Sequence, residues 1–423
     1  MNKLESLKHE LEWRGMLKDI ANEEALEKIL EEGASFYIGI DPTADSLHIG
    51  HYVSIIISTI LSKHGLKPVF VLGGFTGMIG DPSGKNSERE IIDRDLILTN
   101  VAKIKSLIEH LTFKLNIHNY KIVNNNDWYG PLLLVDYFQK YGKYFNVNTM
   151  INRDIVKNRL ETGISYTEFS YQVFQGIDFY KLYKNYNVKL QLGGSDQWGN
   201  IVSGIELIRK IEGPDTIIAG MTINLLLDKN GNKIGKTNGN PVWIDSAKLS
   251  SYFLYQYIIN LDDETALSLL PKLTLITEDQ FNKIITQAKV NPHLKLIHHE
   301  LAQRLFDQLF LEKEYDNALK ISKLLFEEKY FELDKHSLHS IASAIELFRG
   351  NNIDETIINF FDENKITGSR REFREFLQVG ALKINGEVVT DENQKLSDFP
   401  PIYRRYFFAQ VGKKRRILIR IHL

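Results

Sequence analysis

The sequence predicts an α/β protein: a parallel sheet covered by helices comes first, then a helical part, then a small α+β unit. Three observations carry this reading. Up to about residue 245, strand-like runs (SFYIGI, KPVFVLGG, YKIVNN, VKLQLGG) alternate with helical ones, as they do when crossover helices cover a parallel sheet. From Ser246 to about Ile345 the strand signal fades. There AKLSSYFLYQYIINL and PHLKLIHHELAQRLFDQLF space their apolar residues by three and four, the repeat of amphipathic helices. Further on, ETIINFFDENK and SRREFREFLQVG read as helices, ALKINGEVV as a strand turning at Asn385-Gly386, and KRRILIRIHL as a closing strand. We therefore expect domains at 1–245, 246–345 and 354–423, with 346–353, which enters the polar stretch RGNNIDET, as a link.

At 423 residues the chain exceeds what one hydrophobic core usually organises, and its 43% hydrophobic and 25% charged residues are those of an ordinary globular protein. The absence of cysteine excludes a disulfide framework, a thiolate zinc site and a catalytic thiol. The first residues, MNKLESLKHELEWRG, hold no apolar leader, and the most apolar run, YVSIIISTIL, is too short to span a bilayer. The expectation is a cytoplasmic protein without a membrane anchor. Net charge is only −2, but after Asp398 the chain carries Arg404, Arg405, Lys413, Lys414, Arg415, Arg416 and Arg420 and no acid, which suits a polyanion.

Chemistry concentrates where the first strong strand gives way to a helix. The chain passes from SFYIGI through Asp41-Pro42-Thr43 to His48-Ile49-Gly50-His51 and an apolar helix. Such a junction gathers unpaired backbone N–H groups and the positive end of a helix dipole at one point, a ready anion site. Gly50 leaves room for a flat ligand against the first turn, and His48 and His51, three apart, share a helix face. A chance H-x-G-H is the plain alternative. Later, Lys233-Ile234-Gly235-Lys236-Thr237 follows Asp228-Lys-Asn-Gly-Asn. By itself this is a solvated turn; together with the first motif, two ammonium groups on a glycine-bearing loop are what a departing pyrophosphate requires.

These motifs carry a resemblance. HIGH followed by a K-x-x-K-[ST] loop is the signature pair of class I aminoacyl-tRNA synthetases. With YIGIDPTADSLHIGH, GGFTGMIGDPSGK, ETGISYTEFSYQVFQGIDF, LQLGGSDQWGNI and KIGKT, the chain resembles the bacterial-type tyrosyl-tRNA synthetases over nearly its whole length. The resemblance implies a Rossmann-like catalytic domain, a helical anticodon-side domain and an S4-like RNA-binding domain. It implies a ligase of protein biosynthesis that joins L-tyrosine to ATP and then to tyrosine tRNA, working as a homodimer whose contact includes Trp128 to Ile151. ATP would enter as substrate with Mg2+, without a tightly bound cofactor or a resident metal. Thr43 and His48 would contact the triphosphate, and Lys233, Lys236 and Thr237 would close over it. Gly39, Asp41, Gly50, His51, Gly193 and Asp196 would hold the nucleoside. Ile38 stands where some relatives carry a polar or thiol side chain near the ribose, and it cannot make that bond.

Specificity for tyrosine needs hydrogen bonds, because phenylalanine is smaller by one oxygen and shape cannot exclude it. By resemblance, Tyr37 and Asp178 bond the substrate hydroxyl, and phenylalanine would leave both buried groups without partners, as tyrosyl enzymes are known to exploit. Asp81, Tyr171 and Gln175 would bind the ammonium; Tyr171 and Gln175, four apart, share a helix face. Without the motifs Asp81 reads as a turn and Tyr171 as core packing. For RNA, Arg370, Arg371, Arg374, Lys413, Lys414, Arg415 and Arg416 are the basic candidates, with Lys85 and Arg89 for the acceptor end; a merely solvated basic face is the alternative. His298-His299 has no metal-ligand spacing around it. Two other readings stay in play: an RNA-binding scaffold that lost activation, and a sister enzyme for tryptophan, against which Tyr37 and Asp178 argue because an indole has no hydroxyl.

Overall fold

Six strands form one sheet: β1 (Leu17–Ala21), β2 (Ser35–Ile40), β3 (Lys67–Leu72), β4 (Lys121–Asn124), β5 (Val188–Gly194) and β6 (Ala219–Ile223), in the spatial order β1-β6-β5-β2-β3-β4. The structure, a computed structural model, describes residues 2–83, 92–157, 159, 163–228, 231–237, 240–412 and 415–422; of 154, 155, 236, 237 and 240 it describes the backbone alone. All neighbours in this sheet run parallel except β1, which lies antiparallel to β6 at one edge. Phe36, Tyr37, Ile38 and Ile40 of β2 are buried in an almost unbroken run, as a strand covered on both faces must be. One cover is the helix Ile49–Lys63, whose Tyr52, Ile55, Ile56 and Ile60 are fully buried.

This topology locates the site before any side chain is considered. From β2 the chain steps to β3 and β4 in one direction, then returns to place β5 on the other side of β2 and steps to β6. The order reverses between β2 and β5, and in open parallel sheets ligands bind where such a reversal opens a crevice at the carboxyl ends of the strands. A two-stranded ribbon, β7 (Lys236–Thr237) and β8 (Asn240–Pro241), follows on the same unit.

The described residues divide into two compact units, 1–245 with 262–301, and 246–261 with 302–423. The second holds β9 (Glu346–Gly350), β10 (Leu382–Ile384), β11 (Glu387–Val388), β12 (Tyr406–Val411) and β13 (Arg415–Ile421), in the order β11-β10-β12-β13-β9. One face packs Phe407, Ala409 and Ile419 under Phe361 and Phe373 of the helices Ile357–Glu363 and Arg370–Gln378. The other packs Phe408 and Leu418 under Leu325 and Leu338 of the helices Glu314–Phe326 and Lys335–Ala342. The expected link at 346–353 is therefore corrected. Residues 346–350 are β9, an edge strand paired parallel with β13. The helices expected as one part at 246–345 are shared between the two units.

Candidate active site

A cleft of about 550 Å³ opens at the reversal point, within the range of small-molecule sites. Its floor comes from β2 and β5: Tyr37, Ile38, Gly39 and Asp41 from the first, Gly193 and then Asp196 from the second. The long helix Tyr166–Tyr186 supplies Tyr171, Gln175 and Asp178, spaced to face the cleft together. Asp81, Thr43, His48, Gly50, His51 and Lys233 complete the wall.

Asp178 sits at the closed end. The Trp128 indole N–H donates to one of its oxygens at 2.8 Å and the Asn125 amide to the other at 3.1 Å. Burial nevertheless pushes its carboxyl up to about 7, the two donors pulling back toward the charged form. Tyr37, tilted against Phe179 at 5.4 Å between ring centroids, has a buried hydroxyl with no hydrogen-bond partner among the described residues. Its pKa is driven far up by burial and by the nearby Asp178 charge, so the hydroxyl keeps its proton and remains a donor. A buried donor without an acceptor costs about 1–3 kcal/mol.

A polar network joins this end to the next part of the cleft. Asn125 also donates to the Thr76 hydroxyl (2.9 Å), Thr76 donates to Asp41 (2.7 Å), and the Tyr171 hydroxyl donates to the second Asp41 oxygen (2.9 Å). Asp81 accepts from the Ser83 backbone (2.9 Å) and from the Gln197 amide (2.8 Å), which Asn200 in turn steadies (3.0 Å). The Gln175 carbonyl oxygen is buried without a hydrogen-bond partner among the described residues.

At the mouth, His48 caps the helix Ile49–Lys63. Its Nδ1 accepts the Gly50 N–H at 3.1 Å, and the His51 Nδ1 accepts the His48 N–H at 3.4 Å. A nitrogen that accepts is unprotonated, so each ring carries its proton on Nε2. The rings stack at 3.8 Å, and enclosure by the cleft walls together with His48 holds His51 far below the ordinary imidazole range, although cleft water reaches it. Both are thus neutral donors at a helix N-terminus, a place that favours negative charge. A side chain at Gly50 would stand 2.8 Å from the His48 ring. The sequence reading gave that space to a ligand; the structure gives it first to the capping imidazole.

The lysine loop is stitched to the same place. The Ile49 N–H donates to the Val242 carbonyl, the Ile244 N–H to Leu47, and the Val242 N–H to Gly235. Gly235 takes a φ of +129°, which disfavours any side chain, and Lys233 pairs with Asp196 at 3.2 Å. Lys236 and Thr237 form β7, but their side chains lie outside the described residues, as do Lys85, Arg89, Lys413 and Lys414. Arg370, Arg371 and Arg374 lie on one helix, paired with Asp362, Glu375 and Glu392, while Arg415 pairs with Glu346. Arg416 is half-buried beside Tyr330.

Sequence reading missed Thr76, Asn125, Gln197 and Asn200, and it placed Trp128 in a subunit contact although its indole reaches Asp178. Thr76, Gln197 and Asn200 lie inside GGFTGMIGDPSGK and LQLGGSDQWGNI, where the motifs alone assign them no role; Asn125 and Trp128 have neither motif nor period, and only the fold brings them to the cleft.

Residues 30–326 match the family described as tRNA synthetases class I (W and Y), and residues 338–419 match a tyrosine–tRNA ligase SYY-like C-terminal domain. The tyrosine–tRNA ligase of Ureaplasma urealyticum is 38% identical over 416 residues, covering 98% of this chain and 99% of that protein, and the enzyme of Limosilactobacillus reuteri is 38% identical over 414. Among solved structures, a C-terminally truncated mitochondrial tyrosyl-tRNA synthetase of Aspergillus nidulans superposes with a TM-score of 0.68 at 27% identity, covering 76% of this chain and 94% of that one. The corresponding Coccidioides posadasii protein gives 0.66 at 30% identity, covering 74% and 91%. With the parallel sheet, the crevice at its reversal point and both signature motifs in place along that matched length, the chain belongs to the class I tRNA synthetases of the tryptophan and tyrosine group.

Proposed function

We propose that this chain charges tRNA with tyrosine in two steps in the cleft at the β2–β5 reversal. An oxygen of the tyrosine carboxylate bonds to the α-phosphorus of ATP as the bond to the β-phosphate oxygen breaks, and pyrophosphate leaves. A terminal ribose hydroxyl of tyrosine tRNA then attacks the activated carbonyl, and AMP departs. The substrate carboxylate is its own nucleophile, so the protein's work is placement and charge stabilisation.

The observation that carries the reading is the Tyr37 hydroxyl, buried beside Asp178 and lacking an acceptor. A substrate phenol accepts from Tyr37 and donates to Asp178, satisfying both at once; phenylalanine and tryptophan offer no oxygen there. Asp81, Tyr171 and Gln175 receive the ammonium, which sets the carboxylate toward the mouth. There the Nε2 donors of His48 and His51, with Thr43 and Lys233, meet the phosphates, and Lys236 and Thr237 join from the ribbon. Gly39, Asp41, Gly50, Gly193 and Asp196 take the nucleoside, and magnesium arrives as part of the ATP substrate. Arg370, Arg371, Arg374, Arg415 and Arg416, with Lys85, Arg89, Lys413 and Lys414, are the proposed basic contacts to tRNA.

The working form we propose is a homodimer. Leu133, Leu134, Val135, Phe138 and Val147, all within the expected contact region, are more than half exposed, and an apolar face of that kind marks an interface. No helix among the described residues is long and apolar enough to cross a membrane, and we place the protein in the cytoplasm with its tRNA. The test is exchange of labelled pyrophosphate into ATP by pure protein with magnesium. Tyrosine should support exchange, and phenylalanine and tryptophan should do so orders of magnitude less well. No exchange with tyrosine, or equal exchange with tryptophan, overturns the reading.

A further inference from the structure

The arginines of the helix Arg370–Gln378 all engage carboxylates, whereas a second basic cluster in the same unit does not. It begins at a tight turn in which the Ile402 N–H donates to the Tyr406 carbonyl at 2.8 Å and the Tyr406 N–H returns a bond to Ile402 at 2.9 Å. The two residues at its tip, Tyr403 and Arg404, have φ of +47° and +66°. Consecutive left-handed positions of this kind favour Asn and Gly; a tyrosine and an arginine there are strained. Packing offers no reason for the strain, since Tyr403 is 45% exposed, while Ile402 beside it is buried and fixes the turn to the unit.

Behind the tip lies a row of cations. Tyr406 pairs across the sheet with Arg420, and Arg420 with Arg349, so the two arginines occupy opposite positions on adjacent strands. Like charges directly opposite repel, yet among the described residues no carboxylate pairs with Arg349, Arg404, Arg405 or Arg420, and the Arg420 Nε is buried without a hydrogen-bond partner. Arg405 and Arg420 lie 5.3 and 5.9 Å from the Tyr406 ring, and the Lys335 ammonium lies 5.9 Å from the ring of Tyr403. Tyr406, Arg420 and Arg349 share the sheet face that carries Phe408 and Leu418, opposite to the face under the helix Arg370–Gln378.

We propose that the Tyr403–Arg404 turn and the arginine row behind it form a contact surface for RNA. An unpaired base stacks on the exposed Tyr403 ring, and successive phosphates lie on Arg404, Arg405 and the Arg349–Arg420 pair. A strained turn that holds an aromatic face outward beside uncompensated cations fits a stacking platform along a charged track. An acidic peptide would use the charges but leave the strained tyrosine without a purpose.

The proposal rests on the reading that this chain charges tRNA, so pyrophosphate exchange, which needs no RNA, is measured beside it; loss of exchange in the unaltered chain would count against that reading alone. The probe is a tyrosine tRNA transcript bound to the full chain over a range of salt. Arg404→Ala with Arg405→Ala should weaken binding about 10-fold and reduce the slope of log affinity against log salt by about 1.4–1.8, two phosphates' worth, with exchange unchanged. Tyr403→Ala should weaken binding about 5- to 100-fold at an unchanged slope, and Tyr403→Phe should restore it. Tyr403→Gly separates function from folding: relief of strain should raise the melting temperature while tRNA affinity falls. Unaltered tRNA affinity in the folded double variant or in Tyr403→Gly overturns the proposal. So does an equal loss of affinity for a polyglutamate peptide and for tRNA in the double variant.

Discussion

In the proposed tyrosine site Tyr37 and Asp178 set opposite demands on one substrate atom, and each can be tested alone. Tyr37→Phe removes the donor and its desolvation cost together, so tyrosine kcat/KM in the exchange assay should fall about 10-fold while that for phenylalanine stays the same or rises. Asp178 carries its signature in pH. Its carboxyl, ordinarily near 3.8, is pushed up to about 7 chiefly by burial, so between about pH 4 and 7 the folded chain binds a proton that the unfolded chain has lost. Its stability is therefore complete below about pH 4 and declines as pH rises through about 7. Urea unfolding of the ligand-free protein at pH 5 and pH 8 should show a drop that Asp178→Asn largely abolishes. At this scale the legible residues were those inside sequence motifs or at helical spacing, such as Tyr171, Gln175 and Asp178. Asn125 and Trp128, the donors that hold Asp178, come from a different strand end and were invisible, because a lone asparagine or tryptophan has no period to announce it.

The decisive element is the helix Ile49–Lys63, whose start is a cap and, in the proposed function, the phosphate site. Histidine is an uncommon N-cap, and its use here ties the first turn to a ring whose Nδ1 accepts the Gly50 N–H and whose proton is on Nε2. His48→Asn keeps an acceptor for the Gly50 N–H but removes the outward donor. Its melting temperature should stay within a few degrees of the parent, and the exchange rate should fall about 10²-fold, as loss of one preorganised donor does. Strands β2 and β3 were legible because burial on both faces writes a nearly continuous apolar run, β5 because Val188, Leu190 and Leu192 alternate with polar residues before a Gly-Gly turn, and the passage to His48 showed as a change of period. β6 was not: AGMTI is short, and Gly220 reads as a breaker. Its reason is a close approach, since a side chain there would come within 2.3 Å of Ile201 on the helix Trp198–Glu212. β9 read as a link because Gly350-Asn351-Asn352 reads as a turn, and its partner β13 lies far along the chain.

For the whole molecule, the exposed apolar stretch at 133–147 predicts self-association. If the proposed homodimer forms through it, Leu134→Arg with Phe138→Arg should leave a monomer in sedimentation equilibrium at micromolar concentration where the parent is a dimer, with far-UV circular dichroism unchanged. Fold class and family were readable from order and motif, but the partition was not, because contacts between distant segments decide it. Residues 246–261 belong with 302–423, while 262–301 return to the sheet unit. No one break in the polypeptide yields both units whole. A single crossover that moves one unit whole therefore takes a piece of the other with it: 246–261 travels with the sheet unit if the cut follows 301, and 262–301 travels with its neighbour if the cut follows 245.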